Sequence, residues 1–261
     1  MLDDKNIVII GGTGGMGLSA AQAFTREGAH VVAVGLDGDS CRDAREDLPS
    51  SSVVLQGDAT REETAVEAIE QCLEKFGSFD GLYHVAGGSG RSMGDGPLHE
   101  MTIEGWNKTF ELNLTSLMLS NRAAVRAFRA EETGGSILNM GSVLGYSPSP
   151  EYFVTHAYAA AKAAIIGYSK SIASYYTSDN IRVNVIAPGL VETPMAQRAA
   201  QDEEIMQFIA TKQPLDGGRI AQPEDLDGAA CYFMSEQSRF TTGQVLAIDG
   251  GWSVSEGQIP K

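Results

Sequence analysis

The chain has no long apolar run, and its first residues, Met1-Leu2-Asp3-Asp4-Lys5, carry no basic segment ahead of a short β-like stretch. Nothing in it resembles a signal peptide or a membrane span, so no membrane partner is expected and the cytoplasm is the expected address. Cysteine is scarce: Cys41, Cys72 and Cys231 are odd in number and scattered without metal-ligand spacing. That speaks against a disulfide framework and a metal site, and each thiol reads as a small apolar filler of a helical segment. Basic residues are few, 19 against 34 acidic ones, for a formal charge of −15 at pH 7. A field of that sign repels phosphate backbones and anionic lipid surfaces, which sets nucleic acid aside as a partner. Repeats, low-complexity tracts and linker-like breaks are also missing. With 43% hydrophobic residues, 1–261 is expected to form one domain that buries roughly 70–75% of its unfolded surface.

What the chain does have is short apolar runs alternating with helical stretches. Ile7–Ile10, Val31–Val34, Val53–Gln56, Phe79–Val85, Gly135–Met140, Ile181–Ile186 and Gln244–Ile248 are too short for helices. Such runs suit strands buried on both faces of a parallel sheet. Between them, Arg61–Phe76 reads as an amphipathic helix behind a Thr60 cap, and Thr102–Arg129 as one long helix with Asn113 in its middle. The expected fold is α/β: a doubly wound Rossmann-type parallel sheet of about seven strands with helices on both faces. Residues 190–218 have helical stretches but no strand, and read as a substrate lid.

Gly11-Gly12-Thr13-Gly14-Gly15-Met16-Gly17 lies between the first strand and a helical run. Strand, glycine loop, helix is the context in which backbone N–H groups approach a pyrophosphate at a helix N-terminus. Gly11, Gly15, Met16 and Gly17 are therefore candidate cofactor contacts. Asp37, twenty residues beyond Gly17, could accept the adenosine ribose hydroxyls of NAD or be a solvated loop carboxylate. Asp58, with Ala59, could meet the adenine or simply make a turn. The fourth strand runs into Ala86-Gly87, expected beside the first glycine loop, and the loop from Gly88 to Pro97 looks mobile or wrapped around a ligand. Ser142 follows the fifth strand, at the carboxyl edge where open α/β sheets bind ligands. Pro188-Gly189 forces a sharp exit from the sixth strand.

Tyr158 and Lys162 are four residues apart in an alanine-rich helical run, so they share a face. An ammonium ~4 Å from a phenol, at an effective dielectric of ~20, favours the phenolate by ~4 kcal/mol, or about three pKa units. That would bring a tyrosine of pKa ~10 near neutrality, where it can act as a general acid/base.

Taken together, Gly11-x-x-x-Gly15-x-Gly17, Asp58, Ala86-Gly87, Asn113, Ser142, Tyr158-x-x-x-Lys162, Pro188-Gly189 and Gly243–Gly251 resemble the short-chain dehydrogenase/reductase family, in its order and from Ile7 to about Trp252. The resemblance implies an oxidoreductase interconverting a secondary alcohol and a ketone. It makes Tyr158 the general acid/base, with Lys162 lowering its pKa and holding the nicotinamide ribose. Ser142 would orient the substrate oxygen, Asn113 would support a water-linked proton relay, and Thr193 would contact the nicotinamide carboxamide. It also implies a homo-oligomer, commonly a tetramer.

Three departures from the family pattern stand out. His84 and Val85 replace two asparagines, with His84 read as a structural replacement. The Ser142–Tyr158 interval is long, with its extra residues around Pro148–Glu151 expected to bulge beside the cleft. Gly35 stands where the family's NAD-selecting aspartate usually lies. NAD is still expected over NADP, because Gly14 and Leu36 occupy places where NADP-using relatives often carry a basic residue, although Arg42 and Arg45 could reach back. The expected substrate is a small neutral or apolar alcohol or ketone. The runner-up is a 3-oxoacyl carrier-protein reductase, for which Arg122, Arg126 and Arg129 are the best docking stripe. The rival of another class is a non-catalytic nicotinamide-nucleotide sensor or scaffold.

Overall fold

In a computed structural model, which describes residues 1–259, seven strands form one parallel sheet. In chain order they are β1 (Asn6–Ile10), β2 (His30–Gly35), β3 (Val53–Gln56), β4 (Gly81–His84), β5 (Gly135–Met140), β6 (Ile181–Pro188) and β7 (Val245–Ile248). Their order across the sheet is β3-β2-β1-β4-β5-β6-β7. The order reverses between β1 and β4, so the crossovers that follow those two strands run to opposite sides, and the carboxyl edge there is where open α/β sheets bind ligands.

Helices cover both faces because both faces are apolar. Alternation along β1 sends Ile7 and Ile9 to one side and Val8 and Ile10 to the other. The first side packs against α1 (Gly15–Arg26), with Ala20, Ala23 and Phe24 buried. On the second side, α3 (Glu62–Phe76) lays down Ala65, Ala68, Ile69 and Cys72 at helical spacing. Between them in the chain, α2 (Gly38–Asp47) follows β2 and is capped by the Asp37 carboxylate, which accepts the Ser40 N–H at 2.8 Å. The expected Thr60 cap of α3 is corrected. The helix starts at Glu62 behind Arg61 with no side-chain cap, and Thr60 Oγ1 donates instead to Asp58 Oδ1 at 2.8 Å.

The expected single helix from Thr102 to Arg129 is also corrected: it is three pieces. These are α4 (Ile103–Phe110), a π-helical turn over Glu111–Thr115, and α5 (Ser116–Glu131). Asn113 is the centre of the π turn. Its Nδ2 donates to the Thr109 carbonyl at 2.8 Å, the acceptor that an α-helical N–H at 113 would have taken.

After β5 comes α6 (His156–Tyr176), which carries the Tyr158–Lys162 pair. Residues 190–218 hold α7 (Gln197–Ala200) and α8 (Glu203–Lys212), joined by short turns. A third apolar cluster of Val143, Ala199, Ile205, Phe208, Ile209 and Trp252 seats this segment over the end of β5. The last helix, α9 (Asp227–Met234), returns to the face of α1. The three cysteines are free and buried.

Candidate active site

The glycine loop after β1 is shaped by backbone contact. Gly11 and Gly15 sit at φ +89° and +48°, where a side chain is strained. A Cβ at Gly11 would lie 2.6 Å from the Ala86 nitrogen, so the β1 and β4 turns touch. One at Gly17 would overlap the Gly11 carbonyl, whereas Gly14 faces open space. The first turn of α1 carries no acidic residue, and its N–H groups present the positive end of the helix to that space. Met16 packs on the core beneath. Such a glycine cradle under a helix N-terminus fits a pyrophosphate.

Asp58 accepts the Thr60 N–H and hydroxyl, which hold its carboxyl below the usual range and keep it ionised, and Ala59 packs beside it. Thr193 lies against the loop, because a Cβ at Gly15 would come 3.3 Å from Thr193 Cγ2. Gly189, after Pro188, donates its N–H to the Ile248 carbonyl at 3.2 Å, tying the end of β6 to β7. Asp37 is exposed at the α2 cap. Gly35 has a steric reason to be glycine: a Cβ there would overlap the Thr13 hydroxyl, which hydrogen-bonds Ser40 Oγ at 3.1 Å.

Ser142, Tyr158, Lys162 and Asn113 come together beyond β5. Ser142 is buried, and its hydroxyl accepts the Leu144 N–H at 3.2 Å. Lys162 is buried; its Nζ donates to the Met140 carbonyl at 2.9 Å and lies 5.5 Å from the centre of the Tyr158 ring. Asn113 clamps the β4 turn, donating to the Gly88 carbonyl at 2.8 Å and accepting the Gly88 N–H at 3.2 Å. A Cβ at Gly87 would lie 2.7 Å from Asn113 Oδ1 and 3.6 Å from Lys162 Nζ, so all three meet at that turn.

The expected depression of the Tyr158 pKa is corrected. Burial pushes the phenol up to about 12, opposed only by the neighbouring Ser142 hydroxyl. The ammonium sits over the ring face and is directed at a carbonyl rather than at the phenol oxygen, so it does little for the phenolate. Burial also draws Lys162 down to about 8, which still leaves it cationic at neutral pH.

His84 fills a structural position. It is buried, with Nδ1 2.8 Å from Ser120 Oγ and Nε2 3.4 Å from Ser116 Oγ. Burial, and then the Lys162 charge, bring its pKa to about 3, so the ring is neutral. In the long Ser142–Tyr158 interval Pro148, Pro150 and Glu151 are exposed, and the residues on either side of them are tied down. Tyr152 donates to Glu204 Oε1 at 3.0 Å, Phe153 packs edge-on against Trp252, and Trp252 Nε1 donates to the Ser147 carbonyl at 3.1 Å. The arginine stripe is already paired: Arg122 and Arg126 with Glu62, Arg129 with Asp179.

Asp95 was not singled out from sequence. It is buried in the 88–97 loop, and its two carboxylate oxygens accept the N–H groups of Ala157 and Tyr158, each at 2.9 Å. A carboxylate distant in sequence thus caps the first turn of α6, which Thr155 leaves without a side-chain cap. The only signal was an aspartate between Gly94 and Gly96 in a loop expected to wrap something.

A family model described as enoyl-(acyl carrier protein) reductase matches residues 11–253. The cis-4-hydroxycyclohexanecarboxylate dehydrogenase of Sinomonas cyclohexanicum is 30% identical over 252 residues, 96% of this chain and 97% of that protein. The 3-oxoacyl-acyl-carrier-protein reductase of Chlamydia muridarum is 32% identical over 257 residues, 96% of this chain and 98% of that protein. Among solved structures, a short-chain type dehydrogenase/reductase from Mycobacterium ulcerans is similar with a TM-score of 0.88 at 27% identity, covering 98% of this chain and 92% of that one.

Asp95→Ala should cost about 1–2 kcal/mol of stability and speed hydrogen exchange at the Ala157 and Tyr158 amides, with Asp95→Asn intermediate. Unchanged exchange at those two amides would refute the cap. His84 takes up a proton on unfolding between pH 6.5 and about 3 but stays neutral when folded, so its contribution to stability is present above 6.5 and is lost as pH falls. The difference in urea stability between wild type and His84→Gln should therefore shrink as the solution is acidified through that window. A constant difference would mean that the ring is protonated in the folded protein.

Proposed function

We propose, from the premise that this chain belongs to the short-chain dehydrogenase/reductase family, that it interconverts a secondary alcohol and a ketone with Tyr158 as general acid/base. The chain is an oxidoreductase of that family. The observation that supports the residue assignment is a chain of contacts: Asn113 and Lys162 meet at the Gly87 turn beside the glycine cradle, Lys162 lies over the Tyr158 ring, and the Ser142 hydroxyl borders that phenol. A nicotinamide nucleotide, when bound, supplies or accepts the hydride. Gly11, Gly15, Met16 and Gly17 would hold its pyrophosphate, Asp58 and Ala59 its adenine, Asp37 a ribose, and Ala86, Gly87, Pro188, Gly189 and Thr193 its nicotinamide end.

With a phenol at about 12, Tyr158 is loaded with its proton at neutral pH, the state from which it can donate to a carbonyl oxygen. Ser142 would offer its hydroxyl to the same oxygen, so that charge developing there meets two donors. Lys162, its Nζ directed at the Met140 carbonyl rather than at the phenol oxygen, would hold the nicotinamide ribose. Asn113 keeps the β4 turn and the π turn in register, and with them the floor on which Lys162 sits. Proton replacement through the Asn113 region is part of this reading. Residues 190–218, seated on the 143–154 loop, act as the substrate lid of a single 1–261 domain.

The finer cofactor assignment is NAD over NADP. Leu36 and Gly14 offer no cation to a 2′-phosphate, and the Asp37 carboxylate repels one. Arg42 pairs with Asp39, and Arg45 donates to the Val54 carbonyl at 3.0 Å, so both arginines are engaged elsewhere. A carrier-protein substrate has the Chlamydia similarity in its favour. It lacks a docking stripe, because all three α5 arginines are spent on Glu62 and Asp179. A homotetramer is supported by the depression between α5 and α6, where Met118, Tyr168, Ile172 and Tyr176 gather beside Arg122, Arg126 and Arg129, and by Leu246 exposed on edge strand β7. Buried free thiols accord with a reducing, cytoplasmic compartment.

Tyr158→Phe should lower turnover at least ~10²-fold with near-normal cofactor binding, while Lys162→Met weakens both. Full activity in Tyr158→Phe would remove the acid/base assignment. kcat/KM should be at least about tenfold higher with NAD than with NADP, roughly 1.4 kcal/mol in transition-state binding; the reverse order would show that Arg42 or Arg45 swings back to a 2′-phosphate.

A further inference from the structure

Trp252 joins parts of the molecule that the sequence keeps far apart. It is 1% exposed and opens the 3-10 turn Trp252–Val254 that follows β7. On one side it meets the loop between Ser142 and Tyr158. Its Nε1 donates to the Ser147 carbonyl at 3.1 Å, and its ring meets that of Phe153 edge-on, with centroids 5.5 Å apart. Ser147 is five residues after Ser142 and Phe153 five before Tyr158, so one side chain grips the loop near both of its functional ends. The start of the same loop rests on α6, since a Cβ at Gly145 would lie 2.8 Å from the Ala163 nitrogen.

On its other side the indole meets the lid. Phe208 and Lys212, one turn apart on α8, share a face. The Phe208 ring stands at 88° to the indole with centroids 6.2 Å apart, and Lys212 Nζ lies 5.6 Å from the indole centroid. Such edge contacts and an ammonium over the ring favour a buried tryptophan whose N–H is satisfied. The chain beyond Trp252 then folds back over this turn of α8. Lys212 Nζ donates to the Ser255 carbonyl, and the Gln258 N–H donates to Thr211 Oγ1 at 2.6 Å. A Cβ at Gly257 would come 2.8 Å from Phe208 Cε2.

We propose that Trp252 is a positioning residue of the reaction: it couples the loop between Ser142 and Tyr158 to the lid, so that α8 and the Ser142 hydroxyl are placed together. This rests on the oxidoreductase reading above. With α8 seated, the indole is clasped by Phe208 and Lys212 and holds Ser147 and Phe153 in turn. Lifting α8 withdraws the clasp and frees the loop. Enclosing the substrate and aligning the hydroxyl that meets its oxygen thus become one event, in which closure completes the site.

The test compares wild type with two variants. Trp252→Phe keeps a ring and loses the N–H. Thr211→Val releases Gln258, and the Thr211 hydroxyl bonds only to Phe208 and Gln258 among the described residues. Amide hydrogen exchange is read at 144–147, where the N–H groups bond within the turn after Ser142, and at 205–212 in α8. Both stretches should exchange at least about tenfold faster in each variant. A rise in only one stretch, or in neither, overturns the coupling, and Thr211→Val decides alone should Trp252→Phe fail to fold. Reduction of cyclohexanone and methyl acetoacetate is measured alongside. In Trp252→Phe kcat should fall about tenfold with cofactor Kd within about twofold of wild type, because a displaced Ser142 hydroxyl is missed most where charge develops on the oxygen. Unchanged kcat, whatever the thermal stability, would make Trp252 a packing residue only and overturn the positioning role. If wild type reduces no ketone, the oxidoreductase reading fails instead, and exchange decides whether loop and lid are coupled.

Discussion

Parallel strands cannot be joined by tight turns, and the rest of this molecule depends on that constraint. Each strand must be followed by a crossover that returns to the far end, so every loop leaving a strand emerges at the same edge. Here the turns after β1, β4, β5 and β6 carry, in sequence, the glycine cradle, the Ala86-Gly87 turn, Ser142 and Pro188-Gly189. The contact between Gly11 and the Ala86 backbone fixes how closely the first two approach. Helix α6 brings Tyr158 and Lys162 to the edge from one face of the sheet, and the π turn brings Asn113 from between α4 and α5. The site is therefore made of pieces remote in sequence whose positions follow from sheet order.

The buried electrostatics follow from the same crowding. Lys162, His84 and Tyr158 lie close together in a region of low polarity, and each is pushed toward its neutral form. Local hydrogen bonds satisfy the polar atoms buried there: Ser116 and Ser120 with the histidine, the Met140 carbonyl with the ammonium, and Asp95 with the helix start. The asparagines usual in the family at 84 and 85 are replaced by a ring whose two nitrogens find hydroxyl partners four residues apart on α5. The polar requirement is met with a different donor geometry.

Much of this was legible in the residues. Each strand stood out because a run buried on both faces needs no alternation, and the observed limits differ from the expected ones by no more than two residues. The glycine loop was legible because few residues other than glycine fit where a helix starts against a carbonyl. The features that escaped have physical reasons as well. A π turn at Asn113 inserts a single residue and leaves the surrounding apolar spacing almost intact. Asp95 acts across 62 residues, and no local pattern announces a cap supplied from so far away. The Tyr158 pKa failed because helical spacing places two side chains on one face without saying which atoms point at each other. The anchoring of the 143–154 loop depends on Trp252, 105 positions beyond Ser147.

Thr13 lying over Gly35 closes a path of change. A carboxylate at position 35, the usual place for one in relatives that select NAD, cannot be introduced alone, because its Cβ would overlap the Thr13 hydroxyl. Thr13 cannot simply shrink either, since that hydroxyl joins the glycine loop to Ser40 at the start of α2. Positions 13, 35 and 40 are thus one coupled choice, and a lineage or an engineer moving between this arrangement and the usual one must cross an intermediate that either clashes or lets the two loops separate.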